Sequence, residues 1–335
     1  VLRRCLGKIN KVLKCLTNGM RVNMEVEIRG LVLRSPLIVA SGVLGSSVSM
    51  IRAVSNIPSV GAVVTKTVTH SPRTGYENPT VVDLGVGFLN AMGLPNPGYL
   101  EYGSELAEVK EALEIPLILS IGPSNDGEAS EMVKALDHVS DGFELNLSCP
   151  HAEKLGLEVG SDPEKVRSIV ASAKQCTSKP LFVKISPNVT DVVEIARAAV
   201  EAGADAITAV NTLKSMAIDV NAMKPVLSNV YGGLSGRAIH PVAVRIVYEL
   251  YEKLKKPIVG CGGVYDWRDA VELILAGATA VQIGSAIAYR KTGLNIFNEI
   301  EKGITKYLTT KGFSSVREIV GLAHMSWPYC MQISF

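Results

Sequence analysis

The sequence lacks paired cysteines and any cluster of metal ligands. Its six cysteines are scattered along the chain without a Cys-x-x-Cys pair, at Cys5, Cys15, Cys149, Cys176, Cys261 and Cys330. This distribution excludes the spacing of a zinc site or of an iron–sulfur cluster, and the five histidines show no metal-ligand spacing either. We therefore expect reduced thiols, no bound metal and a cytoplasmic location.

The sequence also lacks long apolar runs and a strong net charge. Hydrophobic residues make up 47% of the chain, but they fall in short runs, well below the roughly 20 residues that span a bilayer. The 34 Lys and Arg residues nearly balance the 32 Asp and Glu residues, so the chain has no global basic field of the kind that binds nucleic acid. Neither a transmembrane helix nor a nucleic-acid partner is expected.

The two ends differ in composition from the rest of the chain. Residues 1–23 carry basic side chains and no acidic one, and we expect a peripheral N-terminal extension, with a membrane-surface helix as the alternative. Residues 325–335 are uncharged and partly aromatic, and we expect a peripheral tail. Residues 24–324 are then a single domain, of a size that α/β barrels commonly reach.

Within this domain, short β-branched runs alternate with segments of helical period, which is typical of parallel βαβ units. The pattern predicts helix starts at Asp162 and Asp191 and helix ends at Gly203 and Gly277. Eight strands are predicted, at Pro36–Ala40, Ala62–Lys66, Pro116–Ile121, Gly142–Leu147, Pro180–Ile185, Ala206–Val210, Pro257–Gly260 and Ala280–Ile283. This count favours an α/β fold, a (β/α)8 TIM barrel, over a doubly wound open sheet.

Two long insertions interrupt the alternation, at residues 67–99 and 211–239. Both begin at the carboxyl end of a predicted strand, which is the end where barrel enzymes place their active sites. Long irregular loops are uncommon in compact domains unless they serve a function. We therefore predict that the insertions are lids or binding loops at the C-terminal face of the barrel.

Glycines follow the last two predicted strands, at Gly262, Gly263 and Gly284. Loops at these two positions of a barrel often bind a phosphate through backbone N–H groups, and glycine permits the close approach. Helices beginning near Asp266 and after Ser285 would direct the positive ends of their dipoles at the same site. The alternative is that these glycines only terminate strands.

Two chemically reactive side chains are predicted at the same barrel mouth. Lys184 closes the fifth strand, and because a buried lysine is seldom left unpaired it favours an anionic ligand there. Cys149 lies on the loop after the fourth strand, where Lys66 and Lys184 would supply the cationic surroundings of a reactive thiol. From the residues alone, Cys149 is either a catalytic base or a buried structural thiol.

Seven motifs, in order along the chain, resemble the class 1 dihydroorotate dehydrogenases. They are KTVT at 66–69, NAMGLPNPG at 90–98, NLSCPH at 146–151, VNT at 210–212, GGLSG at 232–236, CGGV at 261–264 and IGSA at 283–286. The resemblance extends from about Met24 to His324. Their combination is far more specific than any one of them.

The resemblance implies that FMN and a pyrimidine substrate bind across the barrel mouth. The implied cofactor-binding residues are Ala40, Ser41, Gly42, Lys66, Thr67, Ser120, Asn146, Lys184, Val210, Gly236, Gly262, Gly263, Gly284 and Ser285. The implied substrate-binding residues are Lys66, Asn90, Met92, Gly93, Leu94, Asn146, Asn211 and Thr212. Amide donors and acceptors suit a ring that carries alternating C=O and N–H groups.

The reaction implied by the resemblance is the oxidation of (S)-dihydroorotate to orotate in the de novo synthesis of UMP. Cys149 is the implied base that removes the C5 proton while the C6 hydride passes to N5 of FMN. Lys66 is the implied group that stabilises the developing negative charge. The flavin carries the redox chemistry, and the protein supplies orientation, a base and electrostatics.

A cysteine base distinguishes the chain from the membrane-bound class 2 enzymes, which use serine. The run LGLEVGSDPE at 155–164 is most similar to class 1B. That resemblance implies a partner subunit with FAD and a 2Fe–2S cluster that passes electrons to NAD. It further implies a homodimer or a heterotetramer.

Two residues depart from the family pattern. Ser120 and His151 each stand where the family commonly has an asparagine. The SCPH form of the cysteine motif also occurs in dihydropyrimidine dehydrogenases, so the reduction of uracil or thymine is the alternative function. A third possibility is a flavin-free barrel, either a binding subunit or an aldolase-like enzyme with Lys184 as its nucleophile.

Overall fold

The computed structural model describes residues 22–147, 157–289 and 293–325. Within them, eight parallel strands form a closed barrel in chain order. From first to eighth, the barrel strands are Leu37–Val39, Ala62–Val64, Leu117–Ile121, Gly142–Asn146, Leu181–Ile185, Ala206–Ala209, Ile258–Cys261 and Ala280–Ile283. Because the eighth strand pairs with the first, the predicted TIM barrel is confirmed and the open sheet is excluded.

Helices follow the strands and cover the outside of the barrel. They are Val48–Ser55, Tyr99–Lys110, Asp126–Leu136, Leu157–Gly160, Pro163–Lys174, Val192–Glu201, His240–Leu254, Trp267–Ala276, Ala286–Tyr289 and Ile296–Lys311. Short 3-10 segments lie at Asp137–Val139, Arg237–Ile239, Gly293–Asn295, Val316–Ile319 and Leu322–His324. Every residue of the third and fifth strands is buried, because side chains on both faces are covered.

The predicted helix ends are confirmed at the level of single hydrogen bonds. The Asp162 carboxylate accepts from the backbone N–H groups of Glu164 and Lys165. The Asp191 carboxylate does the same for the second and third residues after it. Gly277 ends the helix Trp267–Ala276 with a φ of 126°, a backbone conformation that glycine adopts without strain.

A hairpin that the sequence analysis did not predict precedes the barrel. Strands Val26–Ile28 and Leu31–Leu33 pair antiparallel, and the two residues between them, Arg29 and Gly30, both have positive φ, as a type I′ turn requires. The Arg29 guanidinium lies 3.4 Å from the carboxylate of Asp205, just before the sixth strand. The hairpin therefore lies at the amino-terminal end of the barrel.

The two insertions form one sheet, so the prediction that they are irregular loops is wrong in this respect. Strands Val81–Asp83 and Phe88–Asn90 come from the first insertion, and Leu213–Ser215 and Gly232–Leu234 come from the second. They build a four-stranded antiparallel sheet in which Phe88–Asn90 pairs with Gly232–Leu234. This pairing satisfies backbone groups that neither insertion could satisfy alone.

The predicted peripheral ends lie almost entirely outside the described residues. Asn23 forms a backbone bridge with Ser315, and the His324 ring stacks on Tyr248 with centroids 3.7 Å apart. The exact domain boundaries at 24 and 324 therefore stay a prediction. None of the helices in the three described ranges is long and apolar enough to cross a membrane.

Candidate active site

A cavity of about 520 Å³ opens at the carboxyl ends of the barrel strands. This volume lies within the range of pockets that hold small molecules and cofactors. Strand ends and both insertions line it, the insertions through residues such as Phe88, Asn90 and Ser235. The insertions thus cover the barrel mouth, as their position in the sequence predicts.

The cavity brings together nearly all of the residues that the sequence analysis assigned to cofactor and substrate. Those that line it are Ala40, Ser41, Gly42, Lys66, Thr67, Asn90, Met92, Gly93, Leu94, Asn146, Lys184, Val210, Asn211, Thr212, Gly236, Gly262, Gly263, Gly284 and Ser285. Cys149 and His151 lie outside the described residues. Ser120 is fully buried and is not among the lining residues.

A chain of polar side chains runs along one wall of the cavity. The Ser41 hydroxyl donates to the Thr65 carbonyl at 2.7 Å and lies 3.2 Å from the Thr67 hydroxyl. The Asn146 amide donates to the Thr67 hydroxyl at 3.0 Å and accepts from the Asn211 amide at 3.2 Å. These hydrogen bonds hold the ends of four different strands in fixed positions relative to one another, which preorganises donors and acceptors for a ligand.

The direction of these hydrogen bonds explains the role of Ser120 in this wall. The Ser41 hydroxyl has one proton and donates it to the Thr65 carbonyl. Thr67 must therefore be the donor in its hydrogen bond with Ser41. The Ser120 hydroxyl, 2.8 Å from that of Thr67, must then donate to it. Ser120 therefore supports the wall from behind, whereas the resemblance implies direct cofactor contact.

Gly262 and Gly263 after the seventh strand line the cavity at positions where a side chain would clash, and Gly284 after the eighth strand lines the same cavity. A Cβ at Gly263 would lie 2.7 Å from the Cβ of His240 and 2.8 Å from the Gly236 carbonyl oxygen, and its φ is 68°. Gly262 is similarly confined by Ala243. Only glycine fits at these positions, and its bare backbone faces the cavity, which is the chemistry that holds a phosphate.

One predicted contribution to phosphate binding differs in the structure. The helix Trp267–Ala276 begins with a capping box, in which the Asp266 carboxylate accepts from the N–H of Arg268 and the Asp269 carboxylate accepts from the N–H of Asp266. The chain's own carboxylates occupy this helix end. The N-terminus of this helix is therefore not available to a phosphate. The backbone N–H groups of the glycines are the better candidates for phosphate binding.

The floor of the cavity contains a buried ionic network that the sequence analysis missed. The Lys184 ammonium donates to the Gln282 side-chain oxygen at 3.0 Å, and the Gln282 amide donates to Glu144 at 2.6 Å. Thr208 donates to the same carboxylate oxygen at 2.9 Å. The prediction that a ligand anion pairs Lys184 is thus incomplete, because Lys184 already has a protein counter-ion. The sequence did contain a signal for this network, because Glu144 is a charged residue inside the apolar run of the fourth strand.

The charge of Lys184 depends on its immediate neighbours. Burial by itself lowers the pKa of Lys184, but Cys261 and Glu144 beside it raise that pKa above its ordinary value. Burial raises the pKa of the Cys261 thiol, so this cysteine is uncharged at neutral pH. A neutral thiol exerts no charge attraction, so at neutral pH Glu144 is the neighbouring negative charge that favours the protonated form of Lys184.

Comparison with known proteins gives one family for the chain. The family model described as dihydroorotate dehydrogenase matches residues 23–308. Three relatives carry the name "Dihydroorotate dehydrogenase B (NAD(+)), catalytic subunit". One from Pyrococcus furiosus is 48% identical over 302 residues, 90% of this chain and 99% of the relative. One from Methanosarcina mazei is 48% identical over 296 residues, 88% and 93% of the two chains. One from Methanocaldococcus jannaschii is 41% identical over 304 residues, which cover 90% of this chain and 98% of the relative.

Proposed function

The chain belongs to the dihydroorotate dehydrogenase family, and from this membership we propose that it oxidises (S)-dihydroorotate to orotate in pyrimidine biosynthesis, with FMN as its cofactor. The relatives of similar length carry this activity in their names. The observation that supports the proposal in this chain is that Lys66, Asn146, Lys184 and the glycines after the last two strands line the same cavity.

The residues of the cavity suit FMN. The backbone of Gly262, Gly263 and Gly284 offers N–H donors to a phosphate at the positions where barrels commonly bind one. Ser41, Thr67 and Asn146 present hydroxyl and amide groups along the wall, and Lys184 presents a cation. These are the residues that would hold the cofactor's phosphate, ribityl chain and ring.

The substrate would bind against the insertion side of the same cavity. Asn90, Asn146, Asn211 and Thr212 offer amide and hydroxyl groups that match the C=O and N–H edges of a pyrimidine ring. The Asn90 amide is held by a hydrogen bond to the Gly233 carbonyl at 3.1 Å, which joins the two insertions. Lys66 would pair with the substrate's carboxylate or with charge that develops on the ring.

In the proposed mechanism, the chain's own residues bind the substrate, accept its proton and stabilise the charge that develops on it. The Cys149 thiolate accepts the proton from C5 of dihydroorotate and becomes a thiol. When bound, FMN supplies the acceptor for the hydride from C6, so that a C5–C6 double bond forms. Lys66 stabilises negative charge that develops on the substrate during proton removal. The barrel mouth and the inserted sheet orient the substrate and exclude water.

An anaerobic half-reaction tests the proposal against the reduction of uracil or thymine. We expect a yellow protein whose flavin is bleached by dihydroorotate, and whose reduced flavin is reoxidised by orotate but not by uracil, as followed by the visible absorbance of the flavin. Reoxidation by uracil alone would favour the pyrimidine-base reductase. A colourless protein that borohydride traps with a substrate on Lys184 would favour the aldolase-like alternative.

The names of the relatives, each a catalytic subunit linked to NAD(+), support a partner subunit for this chain. We propose that this chain passes its electrons to NAD through a second subunit with FAD and a 2Fe–2S cluster, within a heterotetramer built on a homodimer. The purified chain should then reduce a dye with dihydroorotate but not NAD, and the copurified complex should reduce NAD. NAD reduction by the chain alone would contradict this proposal.

A further inference from the structure

Four barrel strands direct polar side chains into the barrel interior below the cavity. Glu144, Lys184, Thr208 and Gln282 come from the fourth, fifth, sixth and eighth strands, and at most 6% of each is exposed. Lys184 and Gln282 line the cavity, whereas Glu144 and Thr208 do not. Glu144 therefore lies beneath the cavity floor, behind Lys184, which lines the cavity.

The chemistry of the three groups fixes the direction of every hydrogen bond among them. An ammonium can only donate and a carboxylate can only accept, so the Gln282 amide must accept from Lys184 and donate to Glu144. The second oxygen of Glu144 accepts no hydrogen bond from the described residues and lies 3.8 Å from the Lys184 nitrogen. Glu144 thus binds Lys184 twice, by direct charge attraction and through the Gln282 bridge.

We propose that Glu144 is a positioning residue that holds the Lys184 ammonium in place and cancels part of its charge, and thereby lowers the reduction potential of the flavin held in this cavity. The proposal rests on the proposed function, since it concerns the flavin of that site. Reduced flavin is richer in negative charge than oxidised flavin, so a cation at the cavity floor favours the reduced form. A carboxylate directly behind that cation cancels part of its field, and the effect is strong because the interior has a low dielectric constant.

The test variant is Glu144→Gln, which removes the charge, and the first control is Glu144→Asp, which keeps it. The second control is Thr208→Val, which removes a hydrogen bond from a neutral donor to the Glu144 oxygen that Gln282 also binds. Equilibration with a reference dye gives the ratio of reduced to oxidised flavin. We expect Glu144→Gln to shift this ratio about tenfold toward reduced flavin, which is roughly 30 mV for a two-electron couple. The two control variants should stay within about threefold of the unsubstituted protein. Equal potentials in the protein and in Glu144→Gln would overturn the proposal.

A second readout uses the protein without flavin. Reductive methylation with formaldehyde labels lysines in their neutral form, and mass spectrometry reports the rate at Lys184. Loss of the Glu144 charge should increase this rate at least several-fold, whereas Glu144→Asp should change it little. If Glu144→Gln fails to fold, Gln282→Met serves instead, because it removes the bridge; an unchanged labelling rate would then overturn the proposal.

The two readouts separate failure of this inference from failure of the proposed function. A protein that binds no FMN, or whose FMN is not reduced by dihydroorotate, would refute the proposed function, while methylation of Lys184 would still decide whether Glu144 controls it. If dihydroorotate reduces the flavin normally, but neither the flavin potential nor the labelling rate of Lys184 changes when Glu144 is substituted, only the inference about Glu144 would be refuted.

Discussion

Replacement of Cys149 by alanine is expected to slow the reduction of bound flavin by dihydroorotate about 10²- to 10⁴-fold at neutral pH, the usual contribution of a positioned general base. FMN should remain bound, because none of the cavity groups proposed to hold it is changed. Stopped-flow absorbance under anaerobic conditions gives the rate directly. The loss should fall on the chemical step and leave substrate affinity nearly unchanged.

Controls for this prediction come from other residues of the chain. Cys176 is a free cysteine two residues beyond the end of the helix Pro163–Lys174, and its thiol lies 3.1 Å from the Ser130 hydroxyl; it is not among the residues that line the cavity. Cys176→Ala should therefore keep the full rate. Cys261 lines the cavity, but burial raises the pKa of its thiol, which makes it a poor base at neutral pH. Full turnover by the Cys149→Ala variant at neutral pH would show that Cys149 is not the base.

Replacement of Lys184 by methionine is expected to lower the free energy of unfolding by about 3–5 kcal/mol, the usual cost of removing one partner from a buried ion pair. Glu144 is only 1% exposed, so water cannot replace the lost ammonium. The Gln282 amide and the Thr208 hydroxyl still donate to the carboxylate, but neither carries a charge. Urea unfolding of the flavin-free protein measures this loss without any contribution from cofactor binding.

A double variant and a surface variant make this measurement specific. Lys184→Met combined with Glu144→Gln removes both charges, so it should recover more than half of the stability lost in Lys184→Met alone. Arg245→Met removes the exposed partner of Glu249, a pair 2.8 Å apart on one helix, and should cost less than about 1 kcal/mol. A loss in Lys184→Met no larger than in Arg245→Met would contradict a buried, charged pair.

The residues that the sequence analysis placed correctly share a local signal. Asp162 and Asp191 begin helices because a carboxylate can cap the N–H groups that follow it. Lys66, Asn146 and Lys184 converge because they lie at or next to the carboxyl ends of parallel strands, and those ends meet at one face of a barrel. In each case the position depends on neighbours in sequence or on the strand count alone.

The features that the sequence analysis missed depend on partners far apart in the chain. Glu144 and Gln282 are 138 residues apart, and their hydrogen bond exists only because the barrel closes. Asn90 and Gly233 are likewise brought together by strand pairing between the two insertions. An isolated strand or insertion carries no signal for such a partner, since register is set by the assembled sheet.

The sequence by itself determined the eight-stranded barrel, its helix ends, the family motifs and the face on which reactive groups gather, because these follow from hydrophobic period, capping and strand order. Only the tertiary structure decided that Ser120 lies behind Thr67 and that the two insertions form one sheet. It also decided that Lys184 carries a buried counter-ion. The physical reason is that closing the barrel buries polar groups, which must then find partners among side chains from distant strands.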